Sequence, residues 1–397
     1  MNALPSGGPS RARLDADELL AASEHATGLR DHGETDPRDS LRRLVHSLNE
    51  EAALTEAGIA AKRASLIRVL SNRLLLQDQF NRNPRIAEQR ISRPIVILGL
   101  PRSGTTKLHR MIAADPQMQK LPLWKLLYPV RALAPGPGSD VQNRIAAAAT
   151  FVASIRDNNP AMYAGHPMLA EEPDEEYFAM EISFLAHINT SSFYTPSYES
   201  WLDAQPFDNW YAWLVKFMQY QQHVDGGAGR PWVLKAPHHL GYLPLLYRHF
   251  PDATVVHCHR DPVTTMRSFA ALIGSSRAAT SYNYSPREVG RYILRVYGRR
   301  IALYLRDRSK YEGSHPFVDL DYRRILREAP TVIAECYAAA GIPLTETGLA
   351  AMRAWESANQ QHKHGQHRYD VADFGLEDAE IGELFEAYTA RFSKFLG

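Results

Sequence analysis

An apolar, β-branched run, Pro94-Ile-Val-Ile-Leu98, ends at Gly99, turns at Pro101 and continues as Arg102-Ser103-Gly104-Thr105-Thr106 into a helical pattern. A strand that turns tightly into a helix aims free backbone N–H groups and the positive end of a helix dipole at one point. That point suits a phosphate or sulfate group. Gly99 and Gly104 keep the spacing of an ATP-type phosphate loop, Gly-x4-Gly-Lys-Ser/Thr, but Thr105 stands at the lysine position. The loop is built for an anion, and the missing lysine argues against ATP.

Composition narrows the setting. A chain of 397 residues, 45% apolar and 22% charged, has the make-up of a globular protein of one large or two ordinary domains. The net charge of +1 and the lack of a long basic stripe point away from nucleic acid. No run approaches the roughly 18 apolar residues of a membrane span, and the Pro/Gly/Ser-rich start lacks the apolar segment of a secretory signal. Two cysteines, Cys258 and Cys336, cannot make a disulfide framework. The expectation is a cytoplasmic protein with reduced, buried thiols.

Residues 1–13 read as a disordered tail, and 14–90 as an N-terminal helical extension, with Leu41, Leu44, Val45 and Leu48, then Leu66, Val69, Leu70 and Leu74, at helical spacing. This extension suits either a homodimer contact or a brace for the sheet. Residues 91–397 carry the α/β pattern, interrupted at 125–230 by a helical insertion dense in aromatic residues, from Tyr177 and Phe178 through Trp201, Trp210 and Trp213 to Tyr220. Such a stripe packs a core or lines an apolar pocket. Alternation resumes with strands at Trp232–Ala236, Ala253–Cys258 and Phe317–Leu320. Helices are expected at about Leu240–Phe250, Pro262–Ile273 and Tyr322–Ala340. Strands separated by helices imply a P-loop-type parallel sheet covered on both faces, with functional residues just beyond the strand ends.

Three strand ends carry basic residues. Arg102 follows the first, with Ser103, Thr105 and Thr106; Lys235 closes the second, before Ala236-Pro237-His238-His239; Arg260 follows the third, with Ser268 on the next helix. Each alone reads as a solvated charge. Together they converge on one sheet edge as fixed donors for a polyanion.

Gly-Leu-Pro-Arg-Ser-Gly-Thr-Thr, Trp-Val-Leu-Lys-Ala-Pro-His-His-Leu and His-Arg-Asp-Pro, with a serine eight residues past the arginine, resemble the motifs of sulfotransferases. The nearest branch by these motifs is the bacterial small-molecule one, related to tyrosylprotein sulfotransferases. The resemblance implies 3′-phosphoadenosine 5′-phosphosulfate (PAPS) as donor and no metal. It assigns Arg102, Ser103, Gly104, Thr105 and Thr106 to the 5′-phosphosulfate, and Arg260 and Ser268 to the 3′-phosphate. Lys363 and Gly365 fall in a late basic loop resembling the one that closes over the nucleotide. His362, His364 and His367 in that loop also invite a metal reading, but their spacing matches no zinc signature. The rivals are a small-molecule or nucleoside kinase on the same scaffold, and a catalytically silent binding homologue.

Sulfuryl transfer by in-line attack needs fixed positive charge and a base for a weakly acidic hydroxyl. Arg102 and Lys235 are the expected charge stabilisers. His239 is the expected base, with bracing of the following helix as its competing role. His238, His166 and the acidic run Glu171–Glu176 are the alternatives. Lys125 stands where related sequences carry a glutamate, which weakens a glutamate base there. The aromatic insertion favours an apolar acceptor, such as a phenol, sterol or lipid-like alcohol.

Overall fold

β1 (Ile95–Gly99) is buried along its whole length and lies inside a four-stranded sheet of order β2–β1–β3–β4. Its neighbours are β2 (Val233–Lys235) and β3 (Thr254–His259), with β4 (Phe317–Asp321) beyond β3, and every pair is parallel. The computed structural model describes residues 12–130, 139–359 and 374–396.

Side chains alternate across the sheet, so β1 feeds two cores. Ile95 and Ile97 join Leu108, Val256, Leu320 and Ile333 on one face, under the helices Thr105–Ala114 and Ala329–Ala339. Val96 and Leu98 join the larger core on the other face, which also takes Leu41 and Leu70 of the N-terminal helices and Trp210 and Phe217 of the insertion. A strand covered on both faces must be apolar throughout, which is why 94–98 reads as a continuous run and not as an alternating one.

The N-terminal helices Ala16–Thr27, Arg38–Glu50 and Glu56–Arg82 share this core with the insertion. Arg73, fully buried, ties the two together by donating to the carbonyls of His32 (2.7 Å) and Ile182 (2.8 Å). Burial pushes its guanidinium down to about 9. Most of the aromatic stripe packs core: Tyr198, Trp210, Tyr211 and Phe217 are buried, and Trp213 stacks under Arg73.

Several elements differ from their sequence pattern. The stretch expected as one helix from Tyr322 to Ala340 divides into Tyr322–Arg327 and Ala329–Ala339, because Pro330 lacks the N–H that would bridge the two. Pro237–Gly241 forms a 3-10 turn before the helix Leu243–His249. The helix starting at Pro262 runs on to Thr280, and a further long helix, Pro286–Tyr311, starts at Ser285, whose hydroxyl accepts from the Glu288 N–H. Both cysteines are free and buried, and burial pushes Cys336 up to about 12. Among the described residues no helix is long and apolar enough to cross a membrane.

Candidate active site

Register decides where the strand ends meet: Ile97 lies beside Lys235 and Gly99 beside Cys258, so the turns after β1, β2 and β3 open on one edge. The chain leaves β1 for β2 on one side and β3 lies on the other, and a crevice forms where such connections diverge. A cavity of about 260 Å³ occupies that crevice.

The β1 turn needs its glycines. Gly104 has φ of 85°, and a Cβ there would come within 2.9 Å of the Tyr322 ring. At Gly99 (φ 154°) a Cβ would lie 2.4 Å from the Cys258 carbonyl oxygen, so the turn lies directly on β3. Thr105 and Thr106 start the helix and line the cavity, with their N–H groups among the unpaired donors of its first turn. Ser103 is fully buried, and its hydroxyl donates back to the Leu100 carbonyl (2.6 Å). Its side chain closes the loop on itself.

Arg102 adopts a left-handed backbone (φ 70°), which turns its side chain toward Ser268. Its Nε lies 3.2 Å from the Ser268 Oγ, and its Nη1 donates to the Gly165 carbonyl. Arg260 stacks on the Tyr322 ring at 4.1 Å and donates to the Arg102 carbonyl at 2.8 Å. Arg102, Arg260 and Ser268 are thus brought into one connected group. Lys363 and Gly365, with His362, His364 and His367, lie outside the described residues.

Lys235 is buried, and its ammonium pairs with Glu175 at 2.6 Å. Glu175 lines the cavity, so Lys235 lies one contact behind the wall. His239 does not face the cavity. It is fully buried, with Nε2 2.7 Å from Glu176 and Nδ1 2.7 Å from the Tyr211 hydroxyl, so both ring nitrogens are taken. These bonds tie Glu176 to the helix that carries Tyr211. His238 points the other way, because consecutive side chains in a 3-10 turn diverge by about 120°. It lines the cavity and packs on Tyr177 at 5.2 Å between ring centroids. Burial, reinforced by the charge of Arg300, holds its ring well below the usual histidine range.

The sulfotransferase family profile matches residues 94–346, a span that runs from β1 past β4 and includes all three strand-end motifs. The chain belongs to the sulfotransferase family. It is similar in structure to sulfotransferase STF1 from Mycobacterium tuberculosis H37Rv (29% identity, TM-score 0.78), with 94% of this chain and 99% of that one covered. STF9 from Mycobacterium avium, at 24% identity and TM-score 0.83, shares the fold over 95% of this chain and 96% of its own. None of the curated proteins compared matches the chain. The protein is therefore a transferase of sulfuryl groups.

In this sulfotransferase the acidic run 171–176 is no solvated face. Asp174 and Glu176 are buried because each has a fixed donor. Glu176 accepts from the Lys235 N–H (2.7 Å), and Asp174 holds His166 at 3.1 Å. Burial would raise Asp174, but the His166 contact outweighs it and holds the carboxyl well below the usual range. His166 lines the cavity from the far side of Arg102, while Lys125 pairs with Asp225.

Of the aromatic stripe, only Tyr177 lines the cavity. Further wall comes from Phe269, Leu272 and Ile273 on the helix Pro262–Thr280 and from Tyr292, Tyr297 and Arg300 on the helix Pro286–Tyr311, with Met162, Ser191 and Ser192 beside them. Sequence reasoning missed Tyr292, Tyr297 and Arg300. Helical spacing was the available signal, since they share one face of a helix that is otherwise lined with arginines.

The ligand atoms of His257, His259 and Asp319 lie within 4.8 Å of one another beneath this edge. They share a polar network with neighbouring protein groups, in which the His257 Nε2 is buried without a hydrogen-bond partner. Arg308 grips Asp319 through two bonds of 2.6 and 2.7 Å, and Tyr304 and Tyr388 hold the two rings at 2.9 Å each.

Proposed function

We propose that this sulfotransferase takes its sulfuryl group from PAPS and passes it to the hydroxyl of a small molecule bound in the same cavity. The observation that carries the reading is the connected group of Arg102, Arg260 and Ser268 beside the Thr105–Thr106 helix start. A nucleotide with phosphates at both ends needs two separate anion grips, and a loop without the ATP-type lysine fits a donor that carries no triphosphate. Residues 102–106 would hold the 5′ end, Thr105 and Thr106 through their N–H groups and Arg102 through its fork. Arg260 and Ser268 would hold the 3′-phosphate. The donor supplies a sulfonate activated by its phosphate leaving group.

The remaining residues prepare the acceptor. His238, kept neutral by burial, is the base that takes the hydroxyl proton. Lys235 neutralises Glu175 in the wall, so that the carboxylate does not repel an anionic donor. Tyr177, Phe269, Leu272 and Tyr297 would pack the body of the acceptor.

Calorimetry with 3′-phosphoadenosine 5′-phosphate, run against Mg-ATP, tests the donor. The expected result is metal-independent binding of the bisphosphate at least tenfold tighter than of ATP. A preference for Mg-ATP would replace this reading with a kinase. Transfer of labelled sulfate from PAPS across a panel of phenols and alcohols then separates an active enzyme from a silent homologue.

A further inference from the structure

The helix Pro286–Tyr311 is crowded with arginines, and most are matched. Arg291 pairs with Glu288, Arg295 with Glu199, Arg299 with Asp203, and Arg308 with Asp319. Arg300 differs in two ways. It is 5% exposed, deeper than Arg295 or Arg299, and it pairs with no carboxylate among the described residues. One terminal nitrogen of its guanidinium is buried with no hydrogen-bond partner.

Its surroundings are largely aromatic, and Glu175, the carboxylate on the same cavity wall, is paired with Lys235. The stem packs on the Cα of Gly241, where an added Cβ would approach within 3.2 Å. The guanidinium lies 5.2 Å from the Tyr297 ring centroid, and its charge acts on His238, His187 and Tyr292. Arg300 lines the same cavity as the anion loop. A guanidinium held out of water is stabilised by a matching anion that fills its remaining hydrogen bonds, and the described residues supply no such anion here. The donor's phosphates have their own cations at the strand ends, so Arg300 is left for the other ligand.

We propose that the acceptor carries an anionic oxygen pair, a carboxylate or phosphate group, that docks on Arg300 while its hydroxyl reaches His238. The inference rests on the sulfotransferase reading of the cavity. It replaces a purely apolar acceptor with an amphipathic one, whose ring or chain packs on Phe269, Leu272 and Tyr297 and whose charged end fills the fork of Arg300. Bidentate pairing in a site that excludes water discriminates strongly against a neutral isostere, because that isostere leaves the cation unpaired.

The test compares matched acceptors: 3-(4-hydroxyphenyl)propanoate, its carboxamide, and 4-hydroxybenzylphosphonate. With the intact enzyme, kcat/KM for at least one of the two anions is expected to exceed that for the amide at least thirtyfold, and whichever anion leads names the charged group. Arg300→Met is expected to bring the ratio within threefold by loss on the anions, and Arg300→Lys to restore part of it while confirming a folded wall. Thermal stabilisation by the three compounds without donor gives a second readout. Arg300-dependent stabilisation by an anion supports the proposal even if no sulfate transfer is seen, in which case the donor reading is what fails. Transfer with no preference for either anion, or an Arg300→Met loss equal on anions and amide, overturns it.

Discussion

The two ends of the cavity are built differently. Around the β1 turn the cations are already engaged by the chain: Arg102 holds Ser268 and the Gly165 carbonyl, and Arg260 lies on Tyr322 and holds the Arg102 carbonyl. On the helix Pro286–Tyr311, Arg300 lies buried with an unpartnered nitrogen beside the Tyr297 ring. On the proposed function, partners within the chain preorganise the donor grips, so binding costs little ordering. A cation without one depends on the incoming molecule, and that dependence is a means of selection.

Substitutions at each end break or sharpen this contrast. The largest effect is expected at His238. If it is the base, His238→Ala lowers transfer to a weakly acidic alcohol by about 10²–10⁴-fold, yet leaves an acidic nitrophenol within about tenfold. Equal losses on both acceptors would remove the base assignment. His239→Ala should act through stability instead. Losing the ring leaves Glu176 buried without that partner, at a cost of about 3 kcal/mol, read from urea denaturation. An altered kcat/KM pH profile in that variant would show that His239 acts in the chemistry after all.

Under the donor end, burial raises Asp319, but bonds from His259 and Arg308 outweigh it and hold the carboxyl at about 2. Its folded value lies below the unfolded one, so its contribution is present above about pH 4 and is lost as pH falls toward 2. The contribution amounts to about 2 kcal/mol. Asp319→Asn should flatten the fall of stability between about pH 4 and 2, and parallel curves for the two proteins would contradict this. The smallest effect concerns Arg260. Arg260→Ala is expected to weaken 3′-phosphoadenosine 5′-phosphate by at least tenfold, about 1.4 kcal/mol, without changing acceptor preference. Unchanged affinity by calorimetry would take the 3′-phosphate away from that residue.

The two ends also differ in how far they were legible beforehand. Arg102, Lys235 and Arg260 each follow directly on an apolar strand, so a parallel sheet had to bring them to one edge. The sequence pattern favoured His239 as the base, whereas the residue that lines the cavity is His238. Adjacent residues in a tight turn point apart, and only the packing of Tyr211 and Glu176 determines which one is turned inward. The acidic run 171–176 gave no local sign of burial, because its partners, Lys235 and His239, lie some sixty residues downstream. Arg300 was invisible for a related reason: nothing local distinguishes a buried arginine from its exposed helical neighbours.

By itself the sequence determined the parallel sheet, the anion turn and the absence of an ATP-type lysine, because strand periodicity, glycine at strained backbone and helix starts are local properties. Only the tertiary structure decided which histidine faces the cavity and which cations are paired with carboxylates. Burial and charge pairing are set by elements that meet in space and are far apart in the chain.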